Sequence, residues 1–110
     1  MEKTLADKKC VACEGGVPPL KLKEVDEYMK ELSAGWEMQD GHLVKEWKFK
    51  DFKETMRFVN SVADLAESEG HHPDFFVSYG KLKIELWTHA ISGLSENDFI
   101  LAAKIDALKM

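Results

Sequence analysis

The chain has 110 residues, of which 45% are hydrophobic and 32% charged, and its formal net charge is −5. These values predict one soluble globular domain, residues 1–110, whose residues 1–19 form an irregular arm. The acidic surface repels phosphates, so we expect no nucleic-acid partner. No apolar run reaches the about 20 residues that span a bilayer, and the polar first nine residues predict no secretory signal. We therefore expect a cytoplasmic protein without membrane contact.

Two cysteines, Cys10 and Cys13, form a single C-x-x-C motif in the arm. A zinc site normally has four ligands, and no second Cys or His pair follows at zinc-finger spacing. A thioredoxin-like motif would open a helix, whereas two glycines and two prolines follow here. We therefore interpret these residues as reduced thiols without a redox or metal function.

The first predicted elements are a helix and a hairpin. Apolar residues at helical spacing, from Leu22 to Leu32, predict a helix that stops by Gly35. Residues 36–39 and 43–49, joined by a turn at Asp40-Gly41, predict a hairpin. Lys45 interrupts the apolar face of the second strand, so we expect that strand to be partly exposed.

A long second helix and a second hairpin follow. Asp51 and Glu54 form a capping box that predicts the helix start, and Gly70 marks its end. Residues 75–79 and 82–89 predict two strands. In the second of these, leucines and an isoleucine alternate with Lys83, Glu85 and other residues that face the opposite side.

The last helix is predicted from a second capping box, Ser95 to Asp98, to about Leu108. Capping alone accounts for Asp98, and a further role would require this helix start to face the histidines. Its apolar positions (Phe99, Ile100 and Ala103) fit either internal packing or a subunit interface. The order α-β-β-α-β-β-α predicts an α+β fold, with a four-stranded, mainly antiparallel sheet and helices packed on one face.

Three of the four histidines, His71, His72 and His89, lie within 19 residues. Imidazole is the side chain best matched to proton transfer near neutral pH. Pro73 favours an extended conformation at His72, which places the histidine pair on a loop between helix and strand. Taken alone, this loop fits a polar connection and a functional site equally well. His42, in the first hairpin, is assigned no role.

Other side chains near the histidines can be placed by spacing. Glu67 precedes His71 by four residues and would orient its ring if the helix extends that far. His89 lies on the same strand face as Trp87. A flat ligand can stack near Trp87 or Phe75 while His89 exchanges a proton with it, although Trp87 equally fits a subunit interface.

Other classes of site are less consistent with these residues. A metal site made of Glu67 and the three histidines stays open, although adjacent histidines lack the i, i+4 spacing of a helical zinc motif. The sequence contains no Gly-rich phosphate loop and no G-x-S-x-G motif. The residue types therefore favour acid/base catalysis, and we expect no metal or other cofactor.

Three short motifs together resemble pterin-4a-carbinolamine dehydratase. They are Glu67-x-x-x-His71-His72-Pro73, Thr88-His89 and Gly93-Leu94-Ser95-x-x-Asp98. The resemblance extends from Leu5 to Lys104 and implies the same α-β-β-α-β-β-α fold. It implies dehydration of 4a-hydroxytetrahydropterin to quinonoid dihydropterin and water, which recycles the tetrahydrobiopterin-type cofactor of aromatic amino-acid hydroxylases.

The resemblance also implies roles for individual residues. His71, His72 and His89 would be catalytic or would contact the substrate, and Glu67 and Asp98 would line the site. We expect His71 and His89 to be the acid/base pair, in either assignment, with His72 orienting the substrate and Glu67 holding a histidine. Phe75 and Trp87 are the expected stacking residues.

The family differs from this chain at three positions near the site. Mammalian members carry Trp, Asp and Cys where this chain has Phe75, Gly70 and Ile91. These differences bear on how the substrate fits the site, and the Phe75 difference on how it stacks. The resemblance implies a homodimer or homotetramer, with a functional link to an aromatic amino-acid hydroxylase. Alternatives are a non-catalytic pterin-binding or protein-interaction module, similar to a transcriptional cofactor, and a role in molybdopterin metabolism.

Overall fold

The computed structural model describes Leu5, residues 19–88, Ile91 and residues 93–108. Cys10, Cys13, His89 and most of the predicted arm lie outside these residues. The elements are α1 (Leu22–Met29), β1 (Glu37–Gln39), β2 (His42–Lys48), α2 (Phe52–Glu69), β3 (Asp74–Ser78), β4 (Lys81–Leu86) and α3 (Glu96–Asp106). The predicted order is confirmed. No helix in this part of the chain is long and apolar enough to cross a membrane.

The four strands form one antiparallel sheet in the order β1-β2-β4-β3. The first hairpin turns at Asp40 and Gly41, whose φ angles are 52° and 78°. Positive φ at both central residues is the requirement of a type I′ turn, which Asp-Gly meets at low cost. Strands β2 and β4 lie at the centre of the sheet, and Leu43 of β2 faces Leu86 of β4.

The core lies between one face of the sheet and the helices. Leu82, Ile84 and Leu86 of β4 are fully buried, whereas Lys83 and Glu85 face the other side, as the alternation predicts. One apolar cluster joins these strand residues to residues of all three helices. The last helix contributes Phe99, Ile100 and Ala103, which are at most 9% exposed within this single chain. These positions are therefore packed internally.

Helix α2 has the ends that the sequence predicts. Asp51 Oδ1 accepts a hydrogen bond from the Glu54 N–H at 2.8 Å. The Glu54 carboxylate accepts from the Lys50 N–H at 3.4 Å, one residue earlier than a capping box requires. Gly70 ends the helix with φ 66°, a left-handed conformation that glycine adopts without a Cβ clash. This turn directs the chain away from the helix axis immediately before the histidine pair.

Helix α1 is shorter than predicted. The apolar spacing continues to Leu32, but the helix ends at Met29 and only Val25 within it is buried. The next residues form tighter turns, in which Glu31 and Leu32 donate to carbonyls three residues earlier. Tyr28, Met29 and Leu32 still pack against the core, so the apolar spacing reports the buried face and not the end of the helix.

Strand β2 is partly exposed, as expected, but the reason is not an exposed Lys45. Its Nζ lies 3.0 Å from Asp106 Oδ1, and the two side chains are only 13% and 9% exposed. The ammonium also lies 5.6 Å and 5.2 Å from the ring centroids of Trp36 and Trp47. Asp106 further accepts hydrogen bonds from Trp36 Nε1 and the Ser33 N–H, each at 3.0 Å. Lys45 therefore faces the core because the last residue of α3 neutralises it.

Asp106→Ala should destabilise the fold by about 2–4 kcal/mol, because it leaves the Lys45 ammonium and the Trp36 N–H without their acceptor. Urea unfolding followed by circular dichroism measures this change. Glu46→Ala is the matched control, since Glu46 and Lys81 are 3.7 Å apart and about half exposed. That change should cost less than about 1 kcal/mol. Equal losses in the two variants would contradict the role assigned to Asp106.

Tyr28 connects α1 to α3. Its hydroxyl donates to Glu96 Oε2 at 2.9 Å, and its ring stacks on Phe99 with centroids 5.2 Å apart. Burial, and then the hydrogen bond and charge of Glu96, raise the pKa of Tyr28 from 10.0 to about 12. The folded state therefore binds the phenolic proton more tightly than the unfolded state. This contribution to stability is fully present below pH 10 and is lost as the pH rises towards 12.

The alkaline absorbance titration at about 295 nm tests this shift, because the chain has only two tyrosines. Subtracting the titration of Tyr28→Phe from that of the wild type should leave one ionisation centred close to pH 12. A difference curve centred at pH 10, the ordinary value for tyrosine, would show that the phenol is not desolvated.

Candidate active site

His71 is fixed where α2 ends and the chain turns towards β3. Its N–H donates to the Ala66 carbonyl at 3.3 Å, and the left-handed Gly70 precedes it. Its ring Nε2 lies 2.6 Å from Asp98 Oδ1 in the first turn of α3. The His71 side chain is 12% exposed and that of Asp98 is 0% exposed. The start of α3 therefore faces the histidine loop, which is the condition for a second role of Asp98.

Asp98 is a fully buried carboxylate whose other oxygen is also engaged. Oδ2 accepts hydrogen bonds from Thr88 Oγ1 at 2.8 Å and from the Ser95 N–H at 2.9 Å. The Ser95 bond is the expected cap of α3. A buried charge is costly unless it is hydrogen-bonded, and here three groups surround it. We call His71, Thr88, Ser95 and Asp98 the buried cluster.

The second histidine of the loop has a different environment. His72 Nε2 lies 2.9 Å from Glu67 Oε1, and the two side chains are 60% and 79% exposed. Because α2 ends at Glu69, the condition under which Glu67 would orient His71 is not met. Glu67 therefore pairs with His72 instead. Glu69, the other acidic residue in this turn, lies 3.7 Å from Lys104 of α3.

The two aromatic residues predicted to stack on a ligand lie on opposite faces of the sheet. Phe75 is on the helix-covered face, half-buried against the core. Trp87 is on the open face, where it stacks on His42 with centroids 4.5 Å apart and an interplanar angle of 9°. His42 Nδ1 also lies 2.6 Å from Glu85 Oε1. The structure therefore does not bring Phe75 and Trp87 together, and it gives His42 a partner that the sequence did not suggest.

Thr88 and Ser95 belong to the buried cluster but were not predicted as individual site residues. A signal for Thr88 exists in the alternation of β4, since Leu82, Ile84, Leu86 and Thr88 are spaced by two. A hydroxyl residue at the fourth position of this apolar series is expected to be buried and to need a partner. Thr88 is indeed 3% exposed.

A metal site was left open by the sequence. Among the residues that the structure describes, no group of three His, Cys, Asp or Glu side chains could hold a metal ion. His89 is outside that part of the chain, so the proposed set of Glu67 with all three histidines is not placed. His71 and His72 each contact one carboxylate, from α3 and α2 respectively.

Comparison with known proteins identifies the family. The family model described as "Pterin 4 alpha carbinolamine dehydratase" matches residues 18–108. The chain belongs to this family. A relative from Rickettsia bellii, named "Putative pterin-4-alpha-carbinolamine dehydratase", is 54% identical over 107 residues, which is 96% of this chain and 95% of the relative. A relative of the same name from Nitrosomonas eutropha is 51% identical over 104 residues, covering 94% of this chain and 92% of the relative.

Solved structures of the pterin dehydratase family share the fold. A "transcriptional coactivator/pterin dehydratase" from Brucella melitensis has a TM-score of 0.75 at 33% identity, covering 81% of this chain and 96% of that one. A "pterin dehydratase-like protein", described as a RuBisCO assembly factor in the alpha-carboxysome, has a TM-score of 0.57 at 29% identity. It covers 66% of this chain and 87% of that one. Proteins of this fold are thus described with different roles.

The two histidine–carboxylate pairs should differ in stability. Asp98→Ala removes the common acceptor of the Thr88 hydroxyl, the Ser95 N–H and the His71 ring, and should cost about 3–5 kcal/mol. Glu67→Ala removes an exposed partner, together with a charge at the negative end of α2, and should cost less than about 1 kcal/mol. Urea unfolding of both variants measures the difference. A small loss for Asp98→Ala would mean that the buried cluster does not hold the loop.

Proposed function

We propose that this protein dehydrates 4a-hydroxytetrahydropterin to quinonoid dihydropterin and water. The observation that carries the proposal is the 2.6 Å contact between His71 and the buried Asp98, in a chain of the pterin dehydratase family. Family membership supplies the substrate class, and the contact supplies an oriented imidazole next to a second, exposed histidine. General acid/base catalysis requires groups of this kind.

The reaction needs two proton transfers and no change of oxidation state. The bond between C4a and its hydroxyl oxygen breaks as that oxygen gains a proton and leaves as water. The proton on N5 is removed, and its electron pair forms the C4a–N5 double bond. Imidazoles can donate the first proton and accept the second near pH 7. One histidine near the C4a hydroxyl and one near N5 are therefore sufficient.

We assign the acid and base roles to His71 and His89, in either order, and substrate orientation to His72 with its partner Glu67. Asp98 is fully buried, so we assign it an effect on the substrate through His71 rather than by contact. Phe75 shares the helix-covered face of the sheet with Thr88, which supports a contact with the pterin ring.

Trp87 is the other candidate for contact with the substrate. It directly precedes Thr88 and His89 in the sequence. This adjacency in sequence keeps the indole as a candidate, but its ring stacks on His42 on the open face of the sheet, opposite Phe75.

His71→Ala and His89→Ala should each lower kcat by roughly 10²–10⁴-fold, because each removes one of the two proton-transfer groups. His72→Ala should raise KM more than it lowers kcat, because an orienting residue contributes mainly to binding. The assay generates 4a-hydroxytetrahydropterin and follows its disappearance by absorbance, with and without the protein.

Lys81→Ala, an exposed change on β4 away from the histidines, is the control and should keep the wild-type rate. Each variant should also keep the wild-type circular dichroism spectrum. No acceleration by the wild-type protein would exclude the dehydratase function. Full activity of both His71→Ala and His89→Ala would exclude the assignment of acid and base.

A second candidate is a protein-interaction role without catalysis. The two similar solved structures support it, since one is described as a transcriptional coactivator and the other as a RuBisCO assembly factor. A protein with only this role would not accelerate the dehydration. It would also retain partner binding after His71→Ala, because the buried cluster would serve only the fold.

A further inference from the structure

The hydroxyl of Thr88 lies within the buried cluster and has no role in the reaction proposed above. Thr88 follows β4 and forms an isolated antiparallel bridge with Gly93, to whose carbonyl its N–H donates at 2.8 Å. Its Oγ1 lies 2.8 Å from Asp98 Oδ2 and 2.8 Å from Ser95 Oγ. The backbone bridge therefore fixes a hydroxyl that contacts the partner of His71.

The donor of each contact follows from the hydrogens available. A carboxylate only accepts, so the single hydroxyl hydrogen of Thr88 points to Asp98 Oδ2. The contact between the two hydroxyls is then donated by Ser95 to Thr88 Oγ1. Asp98 Oδ1 accepts from His71, so the ring nitrogen 2.6 Å away, Nε2, carries a hydrogen. The chain of donors has one direction, from Ser95 through Thr88 to the carboxylate.

We propose that Thr88 is a positioning residue that holds the neutral His71 ring in the tautomer with its hydrogen on Nε2. By binding Oδ2, Thr88 orients the carboxylate so that Oδ1 faces Nε2. The other ring nitrogen, Nδ1, is then the one that exchanges protons with a ligand. The role of Nδ1 towards a ligand rests on the dehydratase function proposed above. The tautomer of His71 is inferred from the hydrogen bonds alone.

A positioning role can be separated from a packing role by two substitutions. Thr88→Val keeps the shape of the buried side chain and removes the hydroxyl, so it preserves the packing and removes the hydrogen bonds. Thr88→Ser keeps the hydroxyl and removes a methyl group, so it preserves the hydrogen bonds and weakens the packing. Both variants lose some stability, which means that unfolding measurements do not distinguish the two roles. The tautomer of His71 does distinguish them.

The experiment is long-range 1H–15N NMR on histidine-labelled protein at about pH 8, where most imidazoles are neutral. His71→Gln identifies the signals of His71. The wild type and Thr88→Ser should show His71 with its hydrogen on Nε2. Thr88→Val should show a mixture of the two tautomers, because Oδ2 then keeps only the Ser95 N–H and the carboxylate can turn away from Nε2. The signals of His72, whose partner Glu67 is exposed, should be the same in all three proteins.

Two outcomes would overturn the inference. One is a wild-type His71 with its hydrogen on Nδ1, and the other is a Thr88→Val variant that keeps the wild-type tautomer. Circular dichroism and unfolding curves establish that each variant is folded. If Thr88→Val does not fold, Thr88→Cys replaces it, because its thiol is a weak donor. A wild-type tautomer in that variant would count against the inference in the same way.

Activity provides a second measurement and separates the two proposals. Thr88→Val should lower kcat by roughly 10- to 100-fold with little change in KM, and Thr88→Ser should restore most of the rate. If the wild type does not accelerate the dehydration, the proposed function fails while the tautomer result still tests Thr88. If the wild type is active and Thr88→Val is equally active, the inference fails and the function stands.

Discussion

The candidate site depends on one buried charge, the carboxylate of Asp98. A fully buried carboxylate is unfavourable unless donors replace the water it has lost. Here the donors come from three separate places: the loop after α2, the bridge after β4 and the residue that caps α3. Since none of them can move away without leaving the charge unsatisfied, Asp98 holds these three segments at one point. The position of His71 follows from this requirement.

The same carboxylate serves the fold and the site through different oxygens. Oδ2 accepts the Ser95 N–H and so completes the capping box at the start of α3. Oδ1 is not needed for the cap and contacts the imidazole. A histidine can thus be oriented by a residue that the fold already uses, so no additional buried carboxylate is needed to hold it. The three donors offset the cost of burying the one charge.

Local patterns predicted the fold, but they did not predict which side chains pair with one another. Spacing of three or four and of two residues identifies helix and strand faces, and Gly70 and the capping residues mark the ends. The partner of a charged residue depends on where distant segments meet. Lys45 pairs with a residue 61 positions away, and His71 with one 27 positions away. The spacing of four residues linked Glu67 to His71. The helix instead ends before His71, at the left-handed Gly70, and Glu67 contacts His72.

The buried cluster contains only one of two adjacent histidines, so His71 and His72 have different surroundings that the sequence does not reveal. His71 is nearly buried and bonded to a carboxylate that is itself held by two other groups, so its ring has one orientation. His72 is 60% exposed and its partner Glu67 is more exposed still, so its ring can turn towards a ligand. Side chains of one type acquire different roles when their surroundings differ in this way. In a dehydratase, the fixed ring suits proton transfer at a set position and the mobile ring suits substrate capture. Under the proposed function, the burial of one carboxylate partner, rather than the order of the residues in the loop, accounts for the different roles assigned to His71 and His72.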